Sequence, residues 1–410
     1  MSYLAIFLIL GVSAFVAYRY AKSEIDPDLS LFNMAAFTGS WYGRDFVDCK
    51  PPAIHLWFWL LAKIVGKNIQ RVRFAHHFLL GACGILVAYL TNSFWNGLAF
   101  TVLINSAWVY AFHGNVGQVP AVAIVIALAA PSGWIAVAAL GLAVFFEPKL
   151  LLTLMLIVAM QGYWIPALVY LAAAAILLLF IPRQWLRWTW ESSFTIPKRM
   201  GKLRVEHRLY ADWVPWYSSQ AMLYILPWVY LAVVARPEWQ YWLPAVAYAL
   251  MIGYSKVIRQ NHMLPLVAWI ACVGISPLAI LALVALDFVS AGLYLGDIWL
   301  RHYTGLRMTN IAAREIGEWL KDKPGTIWVN DYHTGVYLYA GKPVVYGMTE
   351  QIELNARADE RREVFRKKWA DNPPDWVVQG GEHIINFQPT GYKLVSKHRS
   401  GIYEVYKKKE

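Results

Sequence analysis

Long apolar runs separated by short polar joints fill the first three hundred residues, and a polar tail with alternating segments follows. The runs predict about eleven helices, near 3–20, 73–91, 96–112, 118–130, 133–147, 150–162, 164–181, 221–236, 239–253, 262–275 and 276–294. At 1.5 Å per residue, roughly 20 apolar residues cross a hydrocarbon core about 30 Å thick. Several runs are shorter, which suits half-helices or helices lining a protein-filled cavity. The stretch Tyr3 to Ala17 resembles a secretory leader, but it lacks a basic n-region and a small-x-small cleavage site. It is expected to be an uncleaved first span.

Three polar interruptions break the pattern: residues 21–72, residues 182–219 and "YSKVIRQNHMLP", Tyr254 to Pro265. After Pro51-Pro52 an apolar run reaches only to about Val65, roughly 14 residues, too short to cross and suited to an interfacial helix. Its rings Trp57, Phe58 and Trp59 suit the headgroup level. Lys63, Lys67, Arg71 and Arg73 would argue for a cytoplasmic flank and a true span. Counting eleven spans from a cytoplasmic N-terminus instead leaves 21–72, 182–219, 254–262 and the tail on the outer side together. A single active site requires that co-location, and we adopt it.

The tail reads as a small α/β domain. Thr309 or Asn310 can cap a helix running to Leu320. "TIWVN" (326–330), "PVVYG" (343–347) and "DWVVQ" (375–379) read as buried strands, and 351–370 as a charged helix. "YKLVSKHRSGIYEVYKK" has a Ser-Gly turn between alternating runs, a hairpin signal. The expected fold is therefore mainly α and polytopic, residues 1–300 with a large first loop (21–72), followed by a C-terminal α/β domain, 301–410.

Composition agrees: 58% of the 410 residues are hydrophobic, 15% are charged, and 21 are Trp. Soluble domains hold about 45–50% apolar and about 25% charged residues. The net charge of +11 fits flanks and lipid phosphates. No basic stripe with interleaved aromatics lies on a soluble module, which argues against nucleic acid. Cys49, Cys83 and Cys272 are too far apart for a disulfide framework or a metal spacing.

Candidate chemistry sits at the joints. Glu24, Asp26 and Asp28 follow the first span, and Asp28, Phe32 and Ala36 share one helical face. A carboxylate there can serve as general base towards a hydroxyl, and a solvated helix start is the plainer alternative. Lys50, before Pro51-Pro52, can hold a lipid phosphate as a point charge or snorkel. Asp48 can pair with Arg44 or Lys50, and His55 lies just inside the short helix. Glu147 and Lys149 stand at a joint, where ionisable groups are costly unless they function or pair. His113, Asn115 and Gln118 line another joint. Lys256, Arg259 and His262 offer three cationic donors before Leu264-Pro265, Arg by a bidentate fork, or simply a basic flank. Trp41, Tyr42 and the aromatics of 210–217 can stack on sugar faces or anchor at the headgroups.

An acidic loop after span one, a Lys-Pro-Pro helix, "VRFAHHFLLGACGILVAYL", a later Lys at a joint and then "RQNHMLP" together resemble the GT-C glycosyltransferases. The resemblance is to the ArnT-like aminoarabinose transferases and the protein O-mannosyltransferase superfamily, over about residues 1–294. It implies a GT-C fold in the cytoplasmic (inner) membrane with an extracytoplasmic site. It implies transfer of a sugar from a polyprenyl-phosphate (in bacteria undecaprenyl-phosphate) carrier to a lipid, glycan or protein hydroxyl, usually with inversion. By the same resemblance Asp28 is the catalytic base with Asp26 in reserve, and Lys50, Lys149 and Arg259 or His262 contact the donor phosphate. Where many relatives carry a second acid serving a divalent metal, this chain has Gln118-Val119-Pro120, a poor site for a hard cation unless Asp28 and Asp48 supply the ligands. No cofactor is required by the sequence. The rivals are a transporter or lipid flippase, which would show paired discontinuous helices in repeated halves, and an inactive accessory protein of the same fold.

Overall fold

Helix α1 (Tyr3–Ala21) turns Ile9, Ser13, Ala17 and Ala21 inward, a stripe spaced by four. Leu4, Phe7, Leu8 and Phe15 are exposed on the rest of its surface. A helix of a soluble protein has the reverse pattern, apolar stripe inward and polar residues outward, so this exterior suits lipid. The computed structural model describes residues 1–22, 33–42, 45–47, 52–105, 117–180, 183–190, 247, 298–331, 334–344, 347–348, 358–380 and 390–409. Two compact units divide the chain: Met1–Ala21 with Arg73–Leu293, and Lys22–Val72 with Tyr294–Glu410.

In the first loop come α2 (Met34–Thr38), β1 (Phe46–Val47) and α3 (Pro52–Val65). The Pro-Pro helix starts at Pro52, where a missing N–H costs nothing, and its 14 residues match the length read from the sequence. The bundle continues with α4 (Ile69–Ala82), α5 (Gly84–Leu90), α6 (Phe94–Leu103), α7 (Gln118–Ala129) and α8 (Gly133–Phe146). A 3-10 turn (Pro148–Leu150) leads into α9 (Leu151–Gln161), α10 (Trp164–Phe180) and α11 (Arg183–Trp190). Among the described residues, Tyr3–Ala21 and Ile69–Leu90 are long and apolar enough to cross a membrane, and the other apolar helices are shorter. The four segments expected over 221–294 lie outside the described residues, Ala247 excepted.

With no water to exclude, apolar helices hold together by close packing of small residues. Ala123, Ala127, Ala136, Ala139 and Ala143 pack with Leu140, Leu154 and Ile157 where α7, α8 and α9 meet. A close approach joins α5 and α6: a Cβ on Gly97 would meet the carbonyl oxygen of Gly84 and lie 2.6 Å from the Ala88 Cβ. Ser93 caps α6 by accepting from Asn96 N at 3.3 Å.

In the other unit, α12 (Ile298–Lys321), β2 (Ile327–Asn330), α13 (Gly335–Ala340), β3 (Gly347–Met348), α14 (Ala358–Asp371), β4 (Trp376–Gln379), β5 (Tyr392–Lys397) and β6 (Glu404–Lys408) follow in order. The sheet order is β2-β4-β6-β5, with β2 and β4 parallel and the remaining pairs antiparallel. Trp376 pairs with Ile327, so Trp328 points to the opposite face. Trp319 of α12 meets Trp376 on one face, while Phe365 and Trp369 of α14 meet Trp328 on the other. Helices on both faces explain why β2 and β4 read as continuous apolar runs. Elements of the first loop join this unit: β1 pairs in parallel with β3, and Val344 N donates to Ser40 Oγ at 2.8 Å.

Three expectations are corrected. Thr309 and Asn310 cap nothing; they lie inside α12, which begins at Ile298. In "PVVYG", Pro343 and Val344 lie outside any strand, the Val344 N–H being taken by Ser40, Gly347 belongs to β3, and 345–346 lie outside the described residues. The charged helix runs Ala358–Asp371, ending a residue beyond the expected limit, while residues 351–357 lie outside the described set.

The hairpin turn is clasped to α12. His398 Nε2 lies 2.9 Å from Glu315 Oε2, and Arg399 Nη2 donates to Oε1 at 3.1 Å. Ser400 N donates to His398 Nδ1 at 3.2 Å, so Nε2 carries the proton towards Glu315. The His398 hydrogen bond, helped by the Arg399 charge, holds the Glu315 carboxyl below its ordinary 4.5. A depressed carboxylate stabilises above its unfolded value and loses that contribution as pH falls through the folded one. We expect hydrogen exchange over residues 398–403 to accelerate relative to β2 and β4 as pH falls below the ordinary glutamate value of 4.5, and Glu315→Gln to abolish that pH dependence. Gly97→Val should cost about 2–3 kcal/mol of unfolding free energy in detergent. Gly11→Ala, with no atom within 4 Å of the new Cβ, should be neutral.

Candidate functional site

At the C-terminal end of α1 the last carbonyls lack intrahelical donors. Buried Arg73, at the start of the returning helix α4, places Nη1 3.4 Å from Ala21 O, a cation at the negative end of the helix dipole. This residue, expected to be a basic flank, is an internal link instead. One turn further, Tyr20 and His77 bring their rings to 5.5 Å.

Below them lies a layer of buried polar side chains from three helices. Gln118 Nε2 donates to Ile104 O at 2.8 Å and to Asn105 Oδ1 at 3.1 Å, which orients the amide and turns Oε1 towards His76 Nε2 at 2.9 Å. Asn105 Nδ2 donates to His77 O at 3.0 Å, and its Oδ1 also lies 2.9 Å from His77 Nδ1. An oxygen only accepts, so His76 carries its proton on Nε2 and His77 on Nδ1. Ser13 Oγ donates to Phe78 O at 2.8 Å. Gly81 makes room for this crossing: a Cβ there would lie 2.5 Å from Ser13 Oγ and 3.2 Å from Asn105 Nδ2.

The layer marks one end of the bundle. The chain leaves that end after Ala21, returns at Arg73, reaches it again at Asn105 and departs at Gln118. The α7–α8 hairpin then brings Glu147 back to the same end. In sequence, Asp26, Asp28, Asp48 and Lys50 precede Arg73, His113 precedes Gln118, and Glu147 and Lys149 follow α8. Glu147 is buried at the end of α8, its N–H bonded to Ala143 O at 2.8 Å. Lys149 falls in the 3-10 turn that follows.

Other expected residues fall elsewhere. His55 is buried in the second unit, packed by Tyr42 at 4.9 Å and Phe46 at 5.3 Å between ring centroids. Tyr42 is 2% exposed and cannot offer its face to a sugar. Trp41 and Trp59 do pair, at 5.5 Å. Asp45 closes its own turn by accepting from Trp41 N at 2.8 Å. Asp26, Asp28, Asp48, Lys50, His113, Lys256, Arg259 and His262 lie outside the described residues, as do 210–217. Sequence reasoning missed His76, His77 and Asn105; the signal was two adjacent imidazoles inside an apolar run, where polar groups are expensive.

Gln118 does not fit a divalent cation, because its carbonyl oxygen accepts from His76 and its nitrogen faces two further acceptors. Among the described residues no group of three or more His, Cys, Asp or Glu could hold a metal.

No protein-family model matches the sequence, and no curated protein matches it. The crystal structure of ArnT from Cupriavidus metallidurans in the apo state matches with a TM-score of 0.53, covering 98% of this chain and 97% of that one at 14% identity. The chain has the fold of ArnT. The mainly helical architecture with a small C-terminal sheet that the order of motifs implies is therefore the one found.

Gln118→Leu should remove the bonds that Gln118 makes to His76 and to the Ile104 carbonyl, at about 1–3 kcal/mol for each group left unpaired, while Asn105 keeps His77. In denaturant unfolding of detergent-solubilised protein, the His76→Leu/Gln118→Leu double variant should lose less than the sum of the single losses.

Proposed function

We propose that this chain is an integral-membrane glycosyltransferase, moving a sugar from a polyprenyl-phosphate carrier to an acceptor hydroxyl on the extracytoplasmic side. The observation that carries the reading is the ArnT fold over nearly the full length of the chain. The arrangement of joints supports it. In sequence the carboxylates and cations of the reading stand at joints between apolar segments, and at the described joint of Asn105 and Gln118 the buried hydrogen bonds are internally matched. Residues 22–72 also group with the tail in one compact unit, which supports reading the first loop and the C-terminal domain as lying on one side of the membrane.

In this reading Asp28 takes the proton of the acceptor hydroxyl as its oxygen attacks the anomeric carbon. The bond from that carbon to the phosphate oxygen breaks with inversion, and polyprenyl phosphate leaves with the bonding electrons. Lys50, Lys149 and Arg259 or His262 stabilise the charge that develops on it, with Lys256 nearby in the chain. The phosphate is already a competent leaving group, so no general acid is required. No step runs through a metal.

The test is a panel of polyprenyl-phosphate sugars offered to purified full-length protein, with binding and transfer read separately. Asp28→Asn should keep donor affinity within roughly threefold and lower transfer by about 10²–10⁴. Lys50→Ala should weaken donor binding itself. Transfer undiminished in Asp28→Asn would remove Asp28 from the mechanism, and failure of every donor to bind would overturn the reading.

A further inference from the structure

On the tail, a different surface pairs aromatic rings with cations. Trp319, near the end of α12, is 40% exposed yet held in place, its ring nearly perpendicular to that of Trp376 at 87°, with centroids 5.5 Å apart. Trp376 is itself fixed, donating Nε1–H to Pro324 O at 2.9 Å. Lys323 Nζ stands 5.0 Å from the Trp319 ring centroid, and Lys407 Nζ stands 5.7 Å from that of Trp376. Strand register sets Trp376, Lys407 and Lys393 in one row across β4, β6 and β5, on the same face of the sheet.

The neighbouring acids are partly engaged. Glu315, one turn before Trp319, receives His398 and Arg399, and Asp375 accepts from Thr326 N at 2.7 Å and Thr326 Oγ1 at 3.1 Å. Glu318 and Asp322 are exposed on the helix end beside the row of lysines.

We propose that this Trp319-centred patch, with Lys323, Lys393 and Lys407, is a docking surface for acidic glycan chains. A pyranose presents a flat C–H face that packs on an indole, and carboxylate, phosphate or sulfate groups on the chain complement the ammonium groups beside it. A neutral glycan would gain the stacking alone and a simple anion the charge alone. A membrane surface is a poorer fit, because an interfacial element needs a continuous apolar face and this patch exposes one large ring. The assignment stands without the transferase reading, since it concerns binding by the tail.

The experiment titrates full-length protein in neutral detergent with an oligogalacturonate and with a neutral galacto-oligosaccharide of equal length, followed by calorimetry. Phosphatidylglycerol nanodiscs form a third arm. The acidic oligosaccharide should bind at least about tenfold more tightly than the neutral one, and salt should weaken it as surface charges are screened. Trp319→Ala should lower affinity about tenfold or more, the loss typical of a truncated aromatic anchor. Lys393→Glu, on the exposed edge strand and remote from the packed rings, should lower it severalfold without disturbing the fold. Equal affinity for the neutral chain, no change in either variant, no binding at all, or binding to the nanodiscs in preference to the glycan would each overturn the proposal.

Discussion

A buried amide in an apolar bundle must spend every donor and acceptor on the protein, because no water reaches it to take up the remainder. Gln118 meets that constraint with three helices at once. Its nitrogen serves the frayed end of α6, and its oxygen serves His76 on α4. Asn105 repeats the pattern one step away. These directional bonds fix the register of α4, α6 and α7 at one end, where small-residue packing alone would allow sliding. Arg73 and Ser13 add α1 to the set, through Ala21 and Phe78. The loops that leave this end start from fixed positions.

That anchoring matters because the first loop is a working part of the second unit and not a simple connector. Ser40, Phe46 and Val47 form hydrogen bonds or ladder pairs with residues three hundred positions away in the tail. Their partners are separated from them in sequence by the whole bundle. Loop closure over that span is entropically affordable only because its cost grows with the logarithm of length. Part of the aromatic content of the first loop serves its own packing. His55, Tyr42 and Phe46 build the loop's own core, and Asp45 secures the turn that leads into it.

The apolar segments, the short Pro-Pro helix and the tail's strands were legible in the sequence because each rests on periodicity and length. β2 and β4 read as buried runs for the physical reason that helices cover both faces. The polar layer was less legible. His76 and His77 read as part of a span, and nothing local indicates that Asn105 and Gln118 stand opposite them. Such pairing is set by helix register, which a single sequence does not display. The start of α12 was misjudged for a related reason. Thr309 and Asn310 are good capping residues, but a cap requires a chain that is not already helical, and α12 has completed about three turns by then.

Gln118 stands where a carboxylate would bring an unbalanced charge, and its neutrality has an electrostatic consequence. A carboxylate at 118 would face the Ile104 carbonyl and Asn105 Oδ1, both acceptors, and would need a cation or a proton to remain there. With an amide, both imidazoles can stay neutral and the layer contributes dipoles without net charge. Among the described residues, Arg73 brings formal charge to this end of the bundle, beside the neutral amides and imidazoles. A metal-binding acid would tie the register of the helices to the ion it holds; here that register belongs to neutral hydrogen bonds, which need no ion.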